Sequence, residues 1–110
     1  MKLGSFEETL LLLVGILGEE AYAFNIAEEF ESQTGKSTSI GSVHSTLDRL
    51  SKKKYLTSEM GVPTAERGGR RKRIYSITAE GQKVLEASRD LKMSLWNQFP
   101  SFSGYKFKPV

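Results

Sequence analysis

Three apolar stripes with helical spacing occupy the first 52 residues of the 110-residue chain, and short polar turns separate them. The first stripe runs from Phe6 to Leu17, directly before Gly18, which can end a helix. The second starts at Tyr22 and ends near Gly35, where glycine can take the left-handed cap conformation. The first helix is apolar nearly all round, so it is expected to be central or partly covered by a second chain.

The third stripe belongs to a helix with two contrasting faces. Its buried face is predicted to carry Ile40, Val43, Leu47 and Leu50, and a Ser or Thr of residues 36–39 can cap its start. Its exposed faces carry Ser39, Ser42, His44, Ser45, Arg49 and Lys52. Two short helices joined by a turn and followed by such a polar and basic surface are typical of a helix-turn-helix.

Two strands and a last helix follow in the sequence. Apolar alternation indicates strands over residues 55–60 and 72–77, and the loop over 61–71 is basic, rich in turn residues and too long for a tight hairpin. Thr78 can cap a helix that ends before Pro100. The predicted fold is therefore mainly α with a small β-hairpin, in which the basic loop forms a wing.

Charge is segregated along the chain, although the formal net charge is only +3. Residues 1–34 carry seven acidic side chains and one basic one, whereas residues 49–73 carry nine basic side chains and two acidic ones. A polyanion would therefore meet one face of the protein. Such one-sided positive charge is typical of nucleic-acid binding, and a solvated basic face without function is the alternative.

Size and composition favour one small domain. A chain of 12.3 kDa is large enough to form one hydrophobic core. Cysteine is absent, which excludes disulfides and thiolate catalysis and suits a reducing compartment. The start of the chain lacks a secretory-signal pattern, and the apolar run Leu10–Leu17 is shorter than the ~20 residues of a membrane helix. We expect a cytoplasmic protein without membrane association.

Enzymatic activity is not expected. His44, Ser45 and Asp48 contain the residue types of a hydrolytic triad, but neighbouring positions on a helix point in different directions. The chain contains no P-loop, dinucleotide-binding or zinc-protease motif. A single histidine without cysteine is a poor basis for a transition-metal site, so neither a metal nor a cofactor is expected.

A set of motifs extends over roughly residues 3–95, most of the chain. The motifs are Phe6-Glu7-Glu8 before a leucine run, Tyr22, Ser39-Ile40-Gly41-Ser42-Val43, Leu47, Arg49-Leu50, Arg67-Gly68-Gly69-Arg70-Arg71-Lys72-Arg73, Tyr75 and Thr78-x-x-Gly81. Together they resemble the PadR family of bacterial transcriptional regulators. The resemblance implies a homodimeric repressor. Its parts would be a winged helix-turn-helix domain (1–78), a C-terminal dimerisation helix (79–99) and a tail (100–110).

The resemblance and the charge pattern together predict a DNA-binding surface. One recognition helix per subunit would enter successive major grooves, and the wings would bind the flanking backbone, since guanidinium groups contact phosphates bidentately. The predicted DNA-binding residues are Lys36, Ser39, Ser42, His44, Ser45, Arg49, Arg67, Arg70, Arg71, Lys72 and Arg73. Position 44 is His where family members usually carry Tyr, so this contact is lost, altered or made sensitive to protonation.

The resemblance also implies dimerisation through the first and last helices. The predicted dimer contacts are Phe6, Leu10, Leu91, Leu95 and Trp96. Ligand-responsive family members bind small, often aromatic molecules near the dimer interface, so Trp96 is also a candidate for stacking on an aromatic effector. The C-terminal helix is short, which puts a roomy effector pocket in doubt.

Two alternatives to a sequence-specific repressor stay open. The first is a winged-helix module that binds an acidic protein partner, with the third helix never entering DNA. The second is a DNA binder without sequence preference. An affinity for any DNA duplex that falls steeply with salt concentration separates the DNA-binding functions from the first alternative.

Overall fold

The computed structural model describes residues 3–62 and 71–110 of the chain. Within them the chain forms four α-helices and one two-stranded antiparallel sheet, which confirms the predicted mainly α fold with a small β-hairpin. The elements are α1 (Ser5–Leu17), α2 (Ala23–Thr34), α3 (Ile40–Lys52), β1 (Leu56–Met60), β2 (Arg73–Ile77) and α4 (Ala79–Gln98), with a 3-10 turn at Gly18–Glu20. In this described part, no helix combines the length and the apolar character needed to cross a membrane.

The helices begin and end where local chemistry favours it. Ser39 Oγ accepts a hydrogen bond from the Ser42 N–H at 3.0 Å at the start of α3, and Thr78 Oγ1 accepts one from the Gly81 N–H at 3.0 Å at the start of α4. After α2, Gly35 has a φ of 75°, in the left-handed region that glycine adopts without strain. The expected caps of α3 and α4 and the expected end of α2 are confirmed.

The β-hairpin is held against the helices by its buried end. Leu56 pairs with Ile77 in the antiparallel register, and Leu56 is buried. Tyr75 of β2 is also buried, and its N–H donates to the carbonyl of Ala21, between α1 and α2, at 2.9 Å. The middle of β2 is therefore fixed beside the helix-turn-helix.

One cluster of buried side chains joins α1, α2, α3 and the hairpin. Its members are Leu10, Leu11, Leu13, Val14, Ala21, Ala23, Ile26, Val43, Leu47, Leu50, Tyr55, Leu56 and Tyr75. The helix α1 is central, because it contacts all three other helices as well as β2. The exposed side chains of Leu12 and Ile16 lie on its remaining face.

Three expectations about apolar residues need correction. Leu10, a predicted dimer contact, is 0% exposed, so its own subunit buries it completely and it offers no surface to a second chain. Ile40, expected on the buried stripe of α3, is 46% exposed because it is the first residue of that helix and lines a surface cleft. Tyr22, expected to open α2, is its N-cap residue in an extended conformation.

The C-terminal half of α4 extends away from the core. Val84 and Leu85 pack against the core, whereas Leu91, Leu95 and Trp96 are exposed, Trp96 to 64%. The fourth helix thus has a first half supported by its own subunit and a second half that presents apolar side chains to solvent.

The tail after α4 carries an aromatic cluster that the sequence pattern did not predict. The ring centroids of Phe99 and Tyr105 lie 5.3 Å apart in a stacked arrangement, and those of Phe99 and Phe102 lie 5.1 Å apart. Trp96 joins the cluster through Phe99, with ring centroids 5.9 Å apart. The exposed apolar surface of α4 therefore continues into the tail.

Candidate DNA-binding surface

A cleft of about 550 Å³ lies between the start of α2, the exposed face of α3 and the residues that lead into β2. His44 and Ser45 of α3 line this cleft together with Arg71, Lys72 and Arg73. Five of the predicted DNA-binding residues therefore converge on one surface from two parts of the chain. Arg67 and Arg70 lie outside the described residues.

Two of the cations at the start of the second strand segment, Lys72 and Arg73, have defined partners near the cleft. Lys72 Nζ lies 4.1 Å from the centroid of the Tyr22 ring, a cation–π arrangement. Arg73 Nη1 donates a hydrogen bond to Ser58 Oγ on β1 at 3.0 Å. These contacts orient the two charges without neutralising them, so both stay available to an anion.

The start of α3 presents small polar groups. Ser39 Oγ caps the helix and also donates to Ser42 Oγ at 3.0 Å, and both residues are exposed. Lys36 is exposed in the preceding turn. Hydroxyl groups and the ammonium group here have the chemistry to bind a phosphate or a base edge.

Arg49 pairs with an acid of its own chain. Its Nε lies 3.5 Å from Glu7 Oε2, and its Nη2 donates to Thr46 Oγ1 at 3.1 Å. Lys53 Nζ donates to the same Glu7 oxygen at 3.0 Å. The backbone N–H of Gly4 and these cations hold the pKa of Glu7 below its ordinary value, against the opposing effect of burial.

The chain matches the family model "Transcriptional regulator PadR-like family" over residues 11–87. It belongs to this family. Because PadR-like proteins are transcriptional regulators, the chain is a DNA-binding regulator and not an enzyme. No curated protein sequence matches it significantly.

Solved structures share the PadR-like fold with this chain at low sequence identity. A PadR-like transcription factor from Bacteroides fragilis has a TM-score of 0.69 at 22% identity, over 84% of each chain. A putative transcriptional regulator from Thermoplasma acidophilum has a TM-score of 0.62 at 22% identity, over 78% of this chain and 82% of that one. A PadR family regulator from Clostridium difficile has a TM-score of 0.61 at 23% identity, over 86% of this chain and 98% of that one.

Several residues that this PadR-like chain brings to the surface around α3 were not predictable from the sequence pattern. Phe24, Ile40 and Asp48 line the same cleft as His44. Apolar periodicity assigned Ile40 to the core, and no local signal marks Phe24 as exposed. Glu7 stands three residues after the α1 cap, where a carboxylate can accept the cap N–H. Its partner Lys53, 46 residues away, has no sequence signature.

A second surface of the PadR-like fold lies between α1 and α4. Leu12, Met93 and Trp96 are exposed there and line a cavity of about 630 Å³. Glu8 Oε1 accepts a hydrogen bond from Lys92 Nζ at 2.6 Å across the two helices. Although partial burial opposes it, the Lys92 ammonium and the Ser88 hydroxyl hold the pKa of Glu8 below its ordinary value.

Proposed function

We propose that the protein is a homodimeric repressor that binds a pseudo-palindromic operator through the cleft between α3 and the residues that lead into β2. The observation that carries the proposal is the convergence of His44 and Ser45 with Arg71, Lys72 and Arg73 on one cleft. Side chains on the recognition helix read base edges, whereas wing cations bind phosphates. Two-fold symmetry of the dimer would place the half-site centres about 34 Å apart, one helical turn of DNA.

The decisive experiment is selection of bound duplexes from a random pool with the purified chain. A palindromic motif, followed by reduced transcription in vitro from a promoter that carries it, supports the repressor. Binding that falls steeply with salt but yields no motif indicates a non-specific DNA binder. Absence of binding at low salt contradicts the proposal and favours a module that docks on an acidic protein.

The exposed apolar side chains in the C-terminal half of α4 favour dimerisation. Leu91, Leu95 and Trp96 are exposed in the single chain, and apolar side chains in such a row gain free energy when a second chain covers them. Phe6, the other predicted contact, packs edge to face on Phe30 with ring centroids 5.2 Å apart, so α4 carries more of the proposed interface. Sedimentation equilibrium measures this association directly.

Trp96 is the proposed contact for a small aromatic effector. Its indole lines the cavity between α1 and α4, and stacking on an aromatic face favours planar ligands. Because the chain contains one tryptophan, intrinsic fluorescence reports on this position alone. Titration with planar aromatic compounds is expected to quench it and to release the operator. Absence of quenching beyond inner-filter effects contradicts the effector role.

A further inference from the structure

Two apolar side chains interrupt the polar surface of the cleft. Phe24, in the first turn of α2, is 52% exposed, and Ile40, the first residue of α3, is 46% exposed. Both line the cleft that His44 and Arg71 also line. Neither belongs to the buried core or to the apolar residues packed against it, so the fold of the single chain does not account for them.

The charge around this apolar pair indicates what covers it. Arg71, Lys72 and Arg73 line the same cleft, so the occupant is expected to be anionic and yet to present an apolar group close to its charge. DNA has this combination in its major groove, where the C5-methyl group of thymine lies at the base edge between the phosphate backbones. An acidic peptide could also meet these cations, but the position of Ile40 at the N-terminus of the recognition helix favours DNA, because such residues contact base edges.

We propose that Ile40, with Phe24 in the same cleft, contacts the C5-methyl group of a thymine and so makes thymine the preferred base at one position of each half-site. The inference rests on the DNA-binding function proposed above and adds a specificity determinant to it. Ile40 has no hydrogen-bonding side-chain group, so its discrimination comes from burial of the methyl group alone.

Deoxyuridine provides the test, because it pairs as thymidine does and lacks only the C5-methyl group. Each thymine of the selected operator is replaced singly by deoxyuridine, and the dissociation constants of wild type and Ile40→Ala are measured. At one position per half-site, wild type is expected to bind the uracil duplex about fourfold more weakly than the thymine duplex. This factor corresponds to the burial of one apolar carbon. Ile40→Ala is expected to bind the thymine and uracil duplexes equally at that position.

Two further variants separate this contact from general effects. Ile16→Ala removes an exposed isoleucine of α1 that does not line the cleft, so it is expected to keep the wild-type response to uracil. Phe24→Ala is expected to reduce that response. Alanine is a better helix former than isoleucine, so Ile40→Ala keeps α3 intact, and circular dichroism verifies this.

Two outcomes overturn the contact while the proposed function stands. The first is specific DNA binding that is insensitive to uracil at every thymine, and the second is a uracil response that Ile40→Ala retains in full. If wild type binds no duplex at all, the proposed function fails and the contact fails with it.

Discussion

The carboxylate of Glu7 joins the first turn of α1 to the end of α3, since its Oε2 accepts a hydrogen bond from Lys53 Nζ at 3.0 Å. The Glu7 side chain is only 11% exposed. Arg49, one turn earlier in α3, approaches the same oxygen to 3.5 Å. The position of α3 relative to the central helix α1 is therefore stabilised by one partly buried acid.

Glu7→Gln is expected to lower the free energy of unfolding by roughly 1–2 kcal/mol near pH 7, because it weakens charge-assisted hydrogen bonds that are shielded from water. Urea unfolding measures the effect. Glu31→Gln is a suitable control, because Glu31 is an exposed glutamate of α2. Equal stabilities of the Glu7 and Glu31 variants would contradict a structural role for this carboxylate.

The stabilisation by Glu7 is expected to depend on pH. Its pKa is lowered from 4.5, and the N–H of Gly4 makes the largest contribution. A carboxyl whose pKa is lower in the folded state stabilises the fold above its unfolded pKa, and this contribution is lost as the pH falls through the folded pKa. The difference between wild type and Glu7→Gln is thus expected to be full near pH 7 and to shrink below pH 4.5. A difference that stays constant down to about pH 3 would contradict this assignment.

Arg71→Ala combined with Arg73→Ala is expected to weaken binding to all DNA sequences by similar factors. Each lost phosphate contact flattens the log–log salt dependence by about 0.9, so the double variant is expected to reduce the slope by up to about 1.8. Titrations over a range of salt concentrations measure the slope. Removing Lys106 and Lys108 of the tail changes the net charge equally and is expected to leave the slope unchanged. Equal slopes for wild type and the double variant would count against phosphate contacts by Arg71 and Arg73.

The local elements of the fold were predictable because their signals are local. Helical spacing identified the first three helices, and Ser39 and Thr78 marked the starts of α3 and α4 through hydroxyl caps that form within three residues. The hairpin followed from alternation over 55–60 and 72–77, close to the observed Leu56–Met60 and Arg73–Ile77. Such features need no knowledge of which element packs on which.

What covers a side chain was not predictable in the same way. Apolar periodicity predicts that Leu10 is buried, but it does not distinguish burial in the chain's own core from burial by a dimer partner. Ile40 follows the helical spacing of the apolar residues of α3, but it is the first residue of that helix, where the core no longer covers it. The link from Glu7 to Lys53 spans 46 residues of sequence, so only the packing of α1 on α3 creates it.

Gly81→Ala is expected to destabilise the fold by about 1–3 kcal/mol, the usual cost of forcing extra atoms into a packed site. A Cβ at position 81 would clash with the carbonyl oxygen of Tyr55, which also accepts a hydrogen bond from the N–H of Thr78 at 3.1 Å. The gain in helix propensity is about 1 kcal/mol in the opposite direction, so the clash decides the sign. Thermal unfolding measures the effect, with Gly104→Ala as the control. In Gly104→Ala the new Cβ makes only an ordinary contact at 3.7 Å, so the midpoint temperature of unfolding is expected to stay at the wild-type value.

Leu95→Glu is expected to prevent self-association while the monomer stays folded. In the single chain Leu95 is 57% exposed, so the subunit's own core does not depend on it. Burying the leucine at a dimer interface is worth roughly 1.5–3 kcal/mol, and the substitution also adds a charge there, so the dimer dissociation constant should rise at least about tenfold. Sedimentation equilibrium measures this constant, with circular dichroism as the check on folding. Val62→Glu introduces the same charge at an exposed site two residues after β1 and should leave the constant unaltered. If both variants associate like wild type, α4 does not form the dimer interface.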